Sequence, residues 1–338
     1  MLHRTFSAAL FAGSIAASLP AAAHFGLILP DPAMVLEQSK TAFKLDVSFI
    51  RPMEASTMTM VKPAAFYVVE DGRKTDLTPA LHPGKLFGRD DWTLEYKFEK
   101  PGVYQFVVEP LPYWEQSEDK FYLHYTKVIV PALGAGLGID PKDDDWSKPV
   151  GMKTEIVPLT RPYGNYAGTL FQGRVLVDGK SAPNTTVKVE FLNESDLYQP
   201  RNSYYTTQVM KPDDNGIFTF AAPWAGWWGF AAVRDAGYTL KVDGVDKPVE
   251  MGAVLWTEFG KPMVRKIRQP GLCHAHLRTG CECADNEKTL PGIPVKRLFF
   301  AAESVRSQRF FCSSTYGLAF VRNSTRSGVP ARLKVSRK

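Results

Sequence analysis

The ten residues FYLHYTKVIV, Phe121 to Val130, decide the fold class. They are rich in aromatic and β-branched side chains, contain no glycine or proline, and show no helical spacing of apolar positions, so they read as a strand. Side chains alternate across a strand, so His124 shares a face with Tyr122 and Thr126 and opposes Leu123 and Tyr125. Similar segments lie upstream: Ala42 to Phe49, Ala65 to Val69, Thr93 to Phe98 and Val103 to Val108. Asp71-Gly72, Pro101-Gly102 and Pro110 with Pro112 separate them as turns. Downstream the pattern resumes in Leu170 to Val177, Thr186 to Leu192, Tyr205 to Val209, Ile217 to Ala221 and Gly229 to Arg234, with turns at Asp178-Gly179 and Asp213 to Gly216. Short strands with turns between them and no convincing helix predict an all-β chain of two tandem β-sandwich domains of immunoglobulin-like type.

Working outward sets the boundaries. The first β run gives an N-terminal domain over 24–131. The Gly-, Pro- and Asp-rich stretch 132–166 reads as a linker, and 167–262 as the second sandwich. Ahead of them, Arg4, the apolar run Ala8 to Leu19 and the small residues Ala21 and Ala23 form an export signal over 1–23, too short to span a membrane. Cleavage after Ala23 starts the mature chain at His24. This predicts a periplasmic protein without stable membrane insertion.

Charge and cysteine divide the chain at the same place. Residues 263–338 hold 15 Lys and Arg against 4 Asp and Glu, whereas 24–262 carries a net charge of −6. A nucleic-acid-binding domain needs its basic surface on the folded body, so nucleic acid is excluded as a partner. The body has no cysteine, and Cys273, Cys281, Cys283 and Cys312 all lie in the basic tail, which reads as disordered or frame-altered. The tail's Cys and His pairs match no standard zinc spacing.

His24 is chemically special. At the first mature position its α-amine and imidazole Nδ1 can close a chelate ring on one metal ion. An ordinary α-amine titrates at about 7.7–8.0, so a metal can displace its proton near neutral pH. The body's other histidines, His82 in the loop signal Leu81 to Gly84 and His124 in its strand, complete a candidate metal-ligand set. Imidazole suits nickel, copper, zinc and iron alike. Met53, Met58 and Met60 would favour copper as ligands but fit core packing, and Glu54 fits a solvated carboxylate. The run Asp140 to Asp145 lacks a calcium-loop pattern. Trp224, Trp227 and Trp228 fit a sandwich core. No nucleophile elbow, phosphate loop or HExxH motif is present, so no catalytic machinery is expected.

Several blocks carry a family resemblance: His24-Phe25-Gly26; PYWE at Pro112 to Glu115, running through Glu118-Asp119 to His124-Tyr125-Thr126-Lys127; EIVPLTRPYG at Glu155 to Gly164; and AGWWGF at Ala225 to Phe230. From about His24 to Glu258 the chain resembles the NikK/CbiK-like periplasmic components of nickel and cobalt transport systems. That resemblance implies capture of Ni²⁺ or Co²⁺ for uptake or delivery to a membrane transporter, without catalysis, with His24 and His124 on the histidine-bearing blocks. One departure stands out: Arg51-Pro52-Met53 occupies a position where such proteins often carry His-Pro-Met. Two alternatives follow from the residues: a copper histidine-brace oxidative enzyme, and a metal-free adhesion or binding module.

Overall fold

The computed structural model describes residues 23–36, 42–137 and 145–262, and the short pieces 275–276, 280–281, 310–311 and 320–321. Residues 1–22 of the expected export signal 1–23, Asp140, Asp143, Asp144 and most of the basic tail fall outside the described residues. The chain forms two units, Met1–Pro262 and Met263–Lys338. In the second, Ala275–His276 pairs with Gly280–Cys281, and Phe310–Phe311 pairs with Phe320–Val321.

The first unit is built around β10 (Lys120–Ala132), the strand that contains FYLHYTKVIV. One edge of β10 pairs antiparallel with β8 (Gly102–Glu109). The other pairs in parallel with β19 (Val245–Gly260), in a register that runs from Phe121↔Val249 to Val128↔Trp256. A single 10-stranded sheet therefore runs through both β-rich halves of the sequence. Its order is β16 (Gln208–Met210), β15 (Thr186–Phe191), β18 (Gly226–Val242), β19, β10, β8, β4 (Ala65–Glu70) and β5 (Arg73–Asp76). β9 (Tyr113–Glu115) adds to β10, and β12 (Asn165–Tyr166) to β19.

Each face of this sheet is covered by a different smaller sheet. The first contains β1 (Phe25–Asp31), β2 (Ala42–Arg51), β7 (Arg89–Lys97) and β6 (His82–Leu86), with β3 (Ser56–Met58) on β2. Phe25, Leu27, Leu45 and Val47 from that sheet pack against Val128, Val130, Val254 and Trp256. The second contains β11 (Thr154–Pro158), β13 (Leu170–Val177) and β14 (Lys180–Ser181), with β17 (Ile217–Ala221) on β13. Ile156, Phe171, Val175 and Phe218 from it pack against Ile129, Ala253 and Leu255. The fold is all-β: two sandwiches that share a sheet and use its opposite faces. A strand covered on both faces loses polar alternation, which is why FYLHYTKVIV ends in an apolar run.

The structure differs from the sequence pattern at four places, and at β1 and β11 the reason is burial. β1 (FGLILPD) is buried through most of its length, so it shows no alternation to mark it as a strand. β11 lies inside the 132–166 segment read as a linker, and all five of its residues are buried. His82, read as a loop residue, is the exposed first residue of the edge strand β6. Where a strand was expected over Tyr205 to Val209, a helical turn, Ser203–Thr206, takes up its start and β16 follows, because the Asn202 side chain accepts from the Tyr204 N–H and caps the turn. Among the described residues no helix is long and apolar enough to cross a membrane.

Candidate functional site

Two glycines bring His24 and His124 together. β1 crosses β10 at Gly26, where a Cβ would collide with Thr126 Oγ1 and lie 3.2 Å from the His124 carbonyl oxygen. Trp256 Nε1–H donates to the Gly26 carbonyl at 2.7 Å and locks the crossing to β19. On the other side of His124, Gly252 is its register partner, and a Cβ there would sit 2.6 Å from His124 Cδ2. The imidazole thus lies over bare backbone.

Both histidines are buried, each 2% exposed, and both rest on the same two rings. His24 stacks on Phe49 at 5.8 Å and meets Tyr122 at 4.7 Å; His124 meets Phe49 edge-on at 5.5 Å and Tyr122 at 5.4 Å. A cavity of about 210 Å³ opens beside His124, lined in part by Phe49, Tyr113, Trp114, Tyr122, His124 and Thr126; His24 is not part of its lining.

Acidic residues and one arginine surround the pair. His24 Nε2 accepts from Arg51 Nε–H at 3.2 Å and lies 3.3 Å from Glu115 Oε2. His24 Nδ1 lies 3.2 Å from Glu118 Oε1 but makes no hydrogen bond among the described residues. Arg51 also reaches Glu115 at 3.8 Å and Glu54 at 4.0 Å. His124 Nε2 is 3.7 Å from Glu250 Oε1, beyond hydrogen-bond distance, and neither of its ring nitrogens has a hydrogen-bonding partner. Glu250 in turn meets Lys188 at 3.5 Å and Lys120 at 3.3 Å.

These surroundings keep both imidazoles neutral. Burial pushes the His24 pKa down to about 4; Arg51 and His124 push the same way, against Glu118 and Glu115. Burial lowers the pKa of His124 too, against the pull of Glu250. Burial alone would raise Glu250, but His124, Lys188 and Lys120 hold it at about 2. Glu115 and Glu118 also stay low despite burial, held mainly by Ser117 and by Lys120 with Tyr122. Neutral imidazole with an open lone pair is the form that binds a metal ion. Among the described residues, no three His, Cys, Asp or Glu side chains converge to hold a metal ion as they stand.

The structure brings His24 and His124 together and leaves His82 elsewhere. His82 pairs with Thr93, Thr93 with Asp46, and Asp46 with Leu29, five residues from His24. Three strand spacings and five residues place His82 about 20 Å from His24. Met53 packs in the second core and Met60 against the first. Trp228 is buried in the second core, and Trp224 stacks on Tyr198 at 4.7 Å. Arg51, singled out as a departure from the resemblance, lies on His24 itself. Glu250 had no signal in the sequence, because its nearness to His124 depends on a parallel pairing of strands far apart in the chain. Glu115 and Glu118 were visible only as parts of the PYWE block.

Among curated proteins none matches the chain. Solved structures show remote likenesses. The adhesin InvE of Yersinia pseudotuberculosis is 10% identical at a TM-score of 0.19, over 69% of this chain and 58% of that one, so the chain spans little more than half its length. The fibronectin(III)-like modules of Clostridium thermocellum CbhA are 9% identical at 0.17, over 69% of this chain and 95% of that one. The two tandem V-type regions of VCBP3, a v-region-containing chitin binding protein, are 9% identical at 0.21, over 68% and 99%. Likenesses at these scores carry no argument about function. One sequence family matches over residues 21–236, a span that holds β1 to β17, both histidines of the pocket and all of its acidic residues except Glu250. With well over half of its 338 residues matched, the chain belongs to the family described as "Domain of unknown function (DUF4198)".

Proposed function

We propose that this chain is an exported periplasmic protein that binds a divalent transition-metal ion, Ni²⁺ or Co²⁺, at the His24–His124 pocket and passes it to a membrane transporter. One observation carries the reading: two histidines far apart in sequence are buried on the same two aromatic rings, held neutral, and left with His24 Nδ1 and both His124 ring nitrogens without hydrogen bonds among the described residues. Buried polar atoms are nearly always partnered, so orphans of this kind call for a ligand. Cleavage before His24 adds the α-amine as a third nitrogen, and Glu115, Glu118 and Glu250 stand close enough to supply an oxygen or to orient the rings. A nitrogen and oxygen set suits Ni²⁺, and Cu²⁺ as well.

The copper-enzyme alternative needs an open site on a flat substrate-binding face, and a pair of histidines at 2% exposure does not offer one. The metal-free binding module has a specific observation in its favour: Arg51, Glu115 and Glu118 already bracket His24. Calorimetric titration of the chain beginning at His24 with Ni²⁺, Co²⁺ and Cu²⁺, beside a form with one extra alanine in front, separates the readings. Tight Ni²⁺ or Co²⁺ binding abolished by the extra alanine is the expected result. Absence of binding overturns the metal reading in favour of the binding module, and a response to Cu²⁺ alone moves it to copper.

A further inference from the structure

Glu190 on β15 is a buried carboxylate without a cation. It is 1% exposed. Oε1 accepts from the Ala23 backbone N–H at 3.2 Å and from the Thr207 hydroxyl, and Oε2 is buried with no hydrogen-bonding partner. No ion pair to Glu190 forms among the described residues. Lys188, on the same strand, instead meets Glu250 at 3.5 Å. An ionised carboxylate removed from water without a counter-charge is costly, and such groups are normally paired. The partner Glu190 does have is informative: Ala23 is the last residue of the expected export signal.

We propose that Glu190 is the receptor for the amino terminus released when the Ala23–His24 peptide bond is hydrolysed. Water adds across that bond in an export peptidase, leaving a carboxylate on Ala23 and an α-ammonium on His24. Successive Cα atoms are about 3.8 Å apart, so the new amine arises within one residue's length of the place Ala23 N–H now holds, and the two methylenes of the Glu190 side chain let its carboxylate span the difference. The amine brings the positive charge the pocket lacks and a donor for Oε2. When the amine binds a metal ion as neutral NH₂, it still donates to Glu190, which then acts as a positioning residue that aims it. The scissile bond is itself buried, Ala23 at 6% and His24 at 2%, so cleavage comes before this face closes.

The inference rests on processing before His24 but not on metal binding, and its test is made without metal. The mature chain and its Glu190→Gln, Glu190→Asp and Thr207→Val variants are treated with formaldehyde and cyanoborohydride. Methylation of the N-terminal peptide is then followed by mass spectrometry. The α-amine is expected to react at least about tenfold more slowly in the parent and in Thr207→Val than in Glu190→Gln, with Glu190→Asp between them. A general loosening would expose the amine in Thr207→Val as well. Equal rates in parent and Glu190→Gln overturn the proposal, as does an exported chain whose first residue is not His24. Should Glu190→Gln not fold, a fast-reacting parent amine or a Glu190→Asp rate equal to the parent's overturns it. A nickel titration of the same proteins keeps the two ideas apart. A protected amine with no nickel binding retains this inference and removes the metal site; nickel binding with an unprotected amine does the reverse.

Discussion

The two faces of β10 bury charge in opposite ways. On one face Lys127, fully buried, donates to Glu155 Oε1 at 2.6 Å, and Glu155 also accepts from the N–H groups of Val150 at 2.8 Å and Gly151 at 3.0 Å. On the other, three residues earlier, His124 sits equally deep with no hydrogen bond to either ring nitrogen. The first arrangement is closed: each charge has its partner, and the pair ties β10 to β11, whose Glu155 also holds the segment leading into it. The second is open. A buried polar group tolerated without partners points to something that arrives later, whereas a satisfied one points to structure. Glu190 lies between these extremes, with hydrogen-bond donors on one oxygen and no ion pair among the described residues.

That contrast can be broken or sharpened by four measurements. Lys127→Met leaves the Glu155 carboxylate buried and unpaired, and should cost about 3–5 kcal/mol in chemical denaturation. A loss under ~1 kcal/mol would mean that the closed side is not closed. Glu190 gives the next effect, in the precursor that retains Ala23. Burial raises its pKa from 4.5 to about 7, against the pull of Thr207, the backbone of Ala23 and Met53, and Lys188. Between those values the folded state holds a proton that the unfolded state has released. Stability therefore falls as pH rises from about 4.5 to about 7, by roughly 3 kcal/mol in all. Glu190→Gln should remove that slope, and identical slopes in the two proteins would count against the raised pKa.

His124→Ala should lower Ni²⁺ affinity about a hundredfold, ~2.7 kcal/mol, while changing stability far less than Lys127→Met does. The reverse ranking would make His124 a structural residue. The smallest effect belongs to Arg51. Arg51→Met frees His24 Nε2 of its donor and removes a positive charge from the pocket, and should raise Ni²⁺ affinity about tenfold, ~1.4 kcal/mol. Weaker binding in that variant would show that Arg51 supports the site.

Much of the fold was legible because strands announce themselves locally. Leu170–Val177 and Ile217–Ala221 were bounded as they stand in the structure, since turn residues close both. β1 and β11 were not legible, because a strand buried on both faces carries no alternation to read. At the candidate site, His24 stood out through its position after the expected export signal and His124 through its strand. Nothing in the spacing of His82 distinguished it from them.

The amino-acid sequence by itself determined the all-β class and the cysteine-free acidic body, and it singled out His24 as the expected first residue after export processing. Only the tertiary structure decided which histidine meets it. Periodicity tells which face of a strand a side chain occupies, but pairing between distant strands is set by packing in three dimensions. The crossing of β1 over β10 at Gly26, and the parallel register that lays His124 over Gly252 and near Glu250, brought His24 and His124 into one pocket and left His82 on a distant edge.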